Sequence, residues 1–317
     1  MPSLERTKSD NAAFNPSFTP VVVITGATSG IGRALTQLFA KYLRGRAHIV
    51  LVGRNEAAAE DIIKTLHPHP SNNEDAEVKY TYEFIKCDLT LMKNAASLAS
   101  TLLSKLPKIN YLVHSAGVFG FLGREETEEG IDKKLASRYY ARFRLTYDLM
   151  PLLKKAKAKG ESANVLSILG AGQGWGQVDV EDLGLKKGYS GLKAMTESIS
   201  YNDLMVAEFA RRNESIAFTH IYPGFVNTNM GMSGSYNPLV YPVAKIIGFF
   251  MQPLLWMVTT SPDVCAEYMF HALVYGRPGV NRRDQYGDEI GVYAFPAQSG
   301  AQEKLWEHSI AETRVGI

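Results

Sequence analysis

The chain opens on a polar stretch, residues 1–19, where charges of both signs mix with Asn, Ser and Pro and no apolar run develops. This pattern predicts a disordered tail and lacks the apolar region of a secretory signal. The pattern then changes. Val21–Thr25 (VVVIT) is an unbroken β-branched run, the mark of a strand covered on both faces. Similar runs recur at 48–52, 82–87, 111–114, 164–169 and 216–222. Between them, apolar residues fall at helical spacing near 31–43, 56–66, 92–105, 129–153 and 190–212. Strand and helix alternate with no internal repeat and no domain boundary. The order predicts a single α/β domain over residues 20–317, a doubly wound parallel sheet with helices on both faces.

Composition narrows the partners. Lys and Arg number 34 against 32 Asp and Glu, a net charge of +2, so no global field favours nucleic acid or an anionic membrane. Two cysteines, Cys87 and Cys265, exclude a disulfide framework and a four-cysteine metal site. His67 and His69 flank prolines in a loop and lack metal-ligand spacing, so no metal is expected. No Gly-x-Ser-x-Gly elbow supports serine-hydrolase chemistry. The lysines at 154, 155, 157 and 159 suit a solvated helix end.

Charge is unevenly spread: residues 215–262 carry only Lys245, although 21% of the chain is charged. The most apolar window, Leu239–Val258, is interrupted by Pro242, Lys245, Gly248, Gln252 and Pro253. A membrane span needs about 20 uninterrupted apolar residues, so a buried or interfacial segment is expected instead, in a cytoplasmic protein.

Candidate chemistry starts where the first strand ends. In Thr25-Gly26-Ala27-Thr28-Ser29-Gly30-Ile31-Gly32, Gly26 permits a tight turn and Gly30 lets backbone approach a pyrophosphate. Gly32 lets the helix pack on the strand. The helix start then offers N–H groups and a positive dipole end to phosphates.

This Thr-Gly-x-x-x-Gly-Ile-Gly spacing resembles the short-chain dehydrogenase/reductase family over about residues 20–230, in a divergent, retinol-dehydrogenase-like form similar to members of fungal secondary-metabolite pathways. Cys87-Asp88-Leu89 matches the family's adenine-binding aspartate, and His114-Ser115-Ala116-Gly117 takes the place of its Asn-Asn-Ala-Gly strand end. Pro223-Gly224-Phe225-Val226-Asn227-Thr228 matches the segment that meets the nicotinamide amide. The resemblance implies a Rossmann-like fold with a C-terminal substrate lid from about 229. It implies a cofactor held by Gly26, Ser29, Gly30, Ile31, Gly32, Asp88, Ser115, Ala116, Gly117, Pro223, Gly224, Val226 and Thr228, with Tyr189 and Lys193 also facing it. The second strand ends Gly53-Arg54-Asn55, where NAD-preferring members carry an acid. Arg54 can pair with a 2′-phosphate, so NADP(H) is expected.

Tyr189 and Lys193 have the family's Tyr-x-x-x-Lys spacing, which predicts two side chains on one helix face and a phenol whose pKa the ammonium lowers. The family's catalytic Ser falls at Gly170 and its structural Asn near Arg138. Ser167 is a weak replacement three residues earlier, and Tyr139, Tyr140 and Gln173 are further hydroxyl or amide candidates. Lys193 stands 30 residues before Pro223, several more than the family's spacing.

The expected function is interconversion of a ketone and a secondary alcohol on a bulky apolar molecule such as a terpenoid, polyketide or steroid-like intermediate. The candidate lining is Met230, Met232, Phe249, Phe250, Met251 and Trp256, with Trp175 at the mouth. A non-redox isomerase, dehydratase or cyclase and a dinucleotide-binding regulatory protein with a vestigial site remain the alternatives. The family implies a homodimer through the helices near 129–153 and 190–212, unless the C-terminal segments block it.

Overall fold

The computed structural model describes residues 3–66, 81–121, 123–227 and 259–315. Seven strands, β1 Val21–Thr25, β2 His48–Gly53, β3 Thr81–Lys86, β4 Tyr111–His114, β5 Asn164–Ile168, β6 Ala217–Ile221 and β7 Gly279–Arg283, form one sheet. Their order is β3-β2-β1-β4-β5-β6-β7, and every neighbouring pair is parallel. The helices are α1 Leu4–Ala13, α2 Gly30–Tyr42, α3 Glu56–Thr65, α4 Met92–Lys105, α5 Lys133–Leu135, α6 Ala141–Ala158, α7 Gly191–Arg212, α8 Pro262–Val274 and α9 Ala301–Glu312. A π turn, Ala136–Tyr140, joins α5 to α6.

Strand β1 explains why its sequence shows no alternation. Val21 and Val23 enter an apolar cluster with residues of α4, α6, α7 and α9. Val22 and Ile24 enter a second cluster with α2 and α8. Both faces are covered, so every position is apolar.

One expectation changes. The N-terminal tail is not disordered over its described part. Ser3 caps α1 by accepting from the Arg6 N–H, and the buried Asn11 side chain donates to the carbonyl and carboxylate of Glu267. Phe14 then packs edge-on against Tyr111, Phe270 and Tyr275. The helix is stabilised by docking on α8 rather than by its own amphipathicity. Of the lid and C-terminal extension expected over about 229–317, the structure describes residues 259–315. Residues 259–315 build the core: β7 widens the sheet, α8 packs on α2, and α9 packs on α7. The lining candidates Met230, Met232, Phe249, Phe250, Met251 and Trp256, with Thr228, His67 and His69, lie outside the described residues.

Among the described residues no helix is long and apolar enough to cross a membrane, and no group of three or more His, Cys, Asp or Glu side chains could hold a metal ion.

Candidate active site at the carboxyl edge of the sheet

All seven strands point their carboxyl ends to one edge, and β1 is the point from which the strand order runs out in two directions. An open α/β sheet leaves a crevice there. Gly26 has φ +72° and Gly30 φ +53°, the left-handed backbone that glycine adopts without strain. Contact is close: a Cβ on Gly26 would stand 2.7 Å from the Ala116 nitrogen, and one on Gly32 2.3 Å from the Gly26 carbonyl oxygen. The Ser29 side chain does not cap α2, so the first N–H groups of the helix remain open to an anion. The Ser115 N–H donates to the Thr25 carbonyl at 3.1 Å, which sets Ser115, Ala116 and Gly117 beside this turn. The cradle is thus shaped for a phosphate group approaching backbone.

The other expected cofactor residues occupy the same edge. Arg54 follows β2 and is exposed, while Asn55 beside it caps α3 by accepting from the Ala58 N–H. Asp88 follows β3, and one of its oxygens accepts from the Thr90 N–H and hydroxyl at 3.0 and 2.9 Å. Gly224, at φ +74°, and Val226 follow β6, where Val226 bridges to Thr260.

The expected Tyr189–Lys193 pair is not formed. Helix α7 begins at Gly191, and the Ser190 hydroxyl caps it by accepting from the Lys193 N–H at 3.0 Å. Tyr189 therefore precedes the helix, and one-turn geometry does not apply. Its hydroxyl donates to Oδ2 of the buried Asp132 at 3.0 Å, and Lys134 and Arg124 lie over its ring. Lys193 instead binds Asp179 at 3.0 Å. Burial and then the Asp132 charge push the Tyr189 phenol up, opposite to the lowering that a lysine partner would give. Asp132 also accepts from the backbone N–H groups of Glu125, Lys134 and Leu135, so Tyr189 braces a structural hub.

Ser167 is fully buried. It accepts from Arg142 Nη1 at 2.7 Å and donates to Asn202 Oδ1 at 2.6 Å, which makes it a strut between β5, α6 and α7. Gly170 has no room for the family's serine without movement, because a Cβ would lie 2.9 Å from Ile199 Cδ1. Its N–H donates to Nε2 of the buried His220, whose Nδ1 faces Asp203 at 2.6 Å. Asp203 in turn holds Arg282. Tyr139 and Tyr140 point to Ser309 and His308 on α9, away from this edge. Gln173 is exposed.

Four residues that organise this edge escaped the sequence reading: Asp132, Arg142, Asn202 and His220. A signal existed for one of them, because Arg138 and Arg142 stand at i,i+4 in a segment otherwise rich in aromatic and apolar residues.

Comparison with known proteins points to the same fold and to a family. The short chain dehydrogenase family model matches residues 20–237. "Oxidoreductase AN1596" of Emericella nidulans is 31% identical over 252 residues, covering 77% of this chain and 72% of the relative. "Retinol dehydrogenase 14" of Mus musculus is 27% identical over 93% of this chain and 86% of its own length. A solved structure of an uncharacterized protein from Mycobacterium Paratuberculosis superposes with a TM-score of 0.65 at 20% identity, covering 95% and 96% of the two chains. With its phosphate cradle, its seven parallel strands and these relatives, the chain belongs to the short-chain dehydrogenase family of oxidoreductases, in a divergent, retinol-dehydrogenase-like branch.

Proposed function

We propose that the protein is an NADP(H)-dependent oxidoreductase that interconverts a ketone and a secondary alcohol on a bulky apolar small molecule. The observation that carries this reading is the cradle, where Gly26 and Gly32 leave no space for a side chain and α2 presents uncapped N–H groups. When bound, the nicotinamide would supply or accept hydride at one carbon of the substrate, and the substrate oxygen would exchange its proton with water at the open edge. The chain's own work is to bind and orient. Gly26, Ser29, Gly30, Ile31 and Gly32 would take the pyrophosphate on backbone N–H groups, and Asp88 the adenine ring. Ser115, Ala116, Gly117, Pro223, Gly224 and Val226 would border the nicotinamide half. Arg54 has no hydrogen bond or ion pair within the described residues, so its fork is free for a 2′-phosphate.

The loops at the carboxyl edge support an apolar substrate. Phe119 and Phe121 after β4, Trp175 after β5, Phe225 after β6 and Tyr293 after β7 are all exposed large hydrophobics. Such a rim favours removal of apolar surface from water at about 25 cal/mol per Å². A secondary-metabolite intermediate of terpenoid or polyketide type fits that chemistry.

A second reading, a non-redox isomerase or cyclase on the same scaffold, is favoured by one feature. Tyr189 is engaged by Asp132, and Gly170 offers no hydroxyl. Turnover of a panel of cyclic ketones, followed by nicotinamide absorbance with NADPH and with NADH, tests the first reading. Oxidation of NADPH at least about tenfold faster than NADH supports it, since an arginine–phosphate pair contributes on that order. Conversion of substrate with no cofactor consumed overturns it in favour of the second.

A further inference from the structure

Two arginines lie one helical turn apart beneath the ends of β4 and β5. Arg142 is 2% exposed and Arg138 6%. Arg142 donates to the Ser167 hydroxyl, the Ile168 carbonyl and the Ala116 carbonyl at 2.7, 2.9 and 2.7 Å, and its Nε is buried with no partner. Arg138 uses only Nε, on the Ser198 hydroxyl at 2.9 Å. Among the described residues its two terminal nitrogens make no hydrogen bond, yet neither is among the fully enclosed atoms that lack a partner. They therefore keep contact with the outside through the small open part of the side chain.

No carboxylate pairs with either guanidinium among the described residues. Burial pushes Arg138 down to about 10 and, together with the Arg138 charge, pushes Arg142 down to about 9. Two buried like charges without a counter-ion are costly, and proteins ordinarily pair them. Arg138 also sits in the π turn, a distortion of helices found frequently at functional sites. The Arg138 carbonyl is held by the Asn202 side chain at 2.9 Å. A Cβ on Gly117 would come within 3.5 Å of Arg138 Cγ and 3.7 Å of Arg142 Nη2. The Arg138 stem and one terminal nitrogen of Arg142 therefore pack beside Gly117, at the strand end that borders the crevice.

We propose that Arg138, backed by Arg142, binds a negatively charged oxygen of the substrate, either a carboxylate or an ionised enol. The inference deepens the proposed function, on whose substrate crevice it rests. Arg142 acts as a positioning residue that ties the ends of β4 and β5, and Arg138 is the group that touches the anion. The guanidinium then offers charge complement in a site that lacks the family's serine hydroxyl.

Calorimetric titration of the full chain tests this with two matched pairs of probes. Cyclohexanecarboxylate is compared with cyclohexanecarboxamide, and 1,3-cyclohexanedione, which ionises as its enol, with cyclohexanone. At least one anionic member should bind about tenfold or more tighter than its neutral partner, as expected for a hydrogen bond to a charged group. The pair that discriminates identifies the carboxylate or the enolate as the source. Arg138→Met should abolish the discrimination while holding or raising the melting temperature, because it removes an unpaired buried charge. A residue kept only for structure would lower that temperature.

Equal binding, or equal absence of binding, within both pairs overturns the proposal on the wild type alone, whether or not the variant folds. Undiminished discrimination by Arg138→Met overturns it as well. A further arm repeats the titrations with NADP⁺ present. Retained binding supports a substrate site, and loss of binding on saturation assigns the arginines to the cofactor and overturns it. Absence of NADP⁺ binding in that arm counts against the proposed function only, since the titrations without cofactor stand by themselves.

Discussion

Tyr189 shows how one hydrogen bond can redirect a residue's chemistry. A phenol that donates a hydrogen bond to a buried carboxylate is held neutral and oriented, and no ammonium lowers its pKa. We expect Tyr189→Phe to keep turnover within about threefold and to lose about 1.5–3 kcal/mol of stability, the usual worth of a hydrogen bond to a charged group. A fall of about a hundredfold with an unchanged melting temperature, the scale of a lost general acid, would return the proton-transfer role to this hydroxyl. Glu197 on α7 titrates in an instructive direction. Burial, chiefly, raises its carboxyl to about 7, with Asp179 and Asp182 adding and Lys193 opposing. One of its oxygens is buried without a partner. The folded state thus binds a proton between roughly pH 4.5 and 7 that the unfolded chain has released, so stability falls as pH rises through that window. Melting curves should show Glu197→Gln more stable than wild type at pH 8 and about equal to it at pH 4. An unchanged difference across that range would remove Glu197 as the cause.

At the scale of elements, α1 is the departure with the largest consequence. Its sequence carries few apolar residues, and its partners Glu267, Phe270 and Tyr275 lie more than 250 residues away in sequence. Local pattern holds no trace of such a contact. Removing residues 1–19 should lower stability by roughly 2–4 kcal/mol, the range of a lost aromatic contact, while leaving dinucleotide affinity within about twofold. A truncated chain with wild-type melting behaviour would show that α1 contributes nothing. The strands were legible because parallel pairing demands β-branched residues on both faces, as VVVIT supplies. The glycine turn was legible because only glycine tolerates its backbone and its contacts. The Tyr-x-x-x-Lys spacing misled, because a motif at a helix start reads as helical only if the helix has begun. Here Ser190 delays it by capping at Gly191. Strand β7 (GVNRR) went unnoticed since its polar side chains are satisfied within the fold: Asn281 binds the nearby Arg277 carbonyl, and Arg282 binds the distant Asp203.

The whole molecule closes its own surface. Trp306 of α9 packs edge-on to Phe143 of α6 and Phe209 of α7, at 5.1 and 4.9 Å between ring centroids. Arg212 lies over its ring. This helix therefore covers the α6–α7 face through which the family resemblance implied a homodimer. Light scattering should report a monomer near 35.0 kDa, and Trp306→Ala should cost about 3–5 kcal/mol. A stable dimer of the wild type would refute the masking role of α9. The docking of α1 on α8 carries a kinetic corollary. Asn11 of α1 finds its partner, Glu267, 256 residues later in sequence, and closing so long a loop comes late. During translation α1 must wait, exposed, until α8 emerges. Contacts absent from the folding transition state act mainly on unfolding. The amino-terminal helix should therefore behave as a latch: cutting it leaves the refolding rate nearly unchanged and shortens the lifetime of the folded protein.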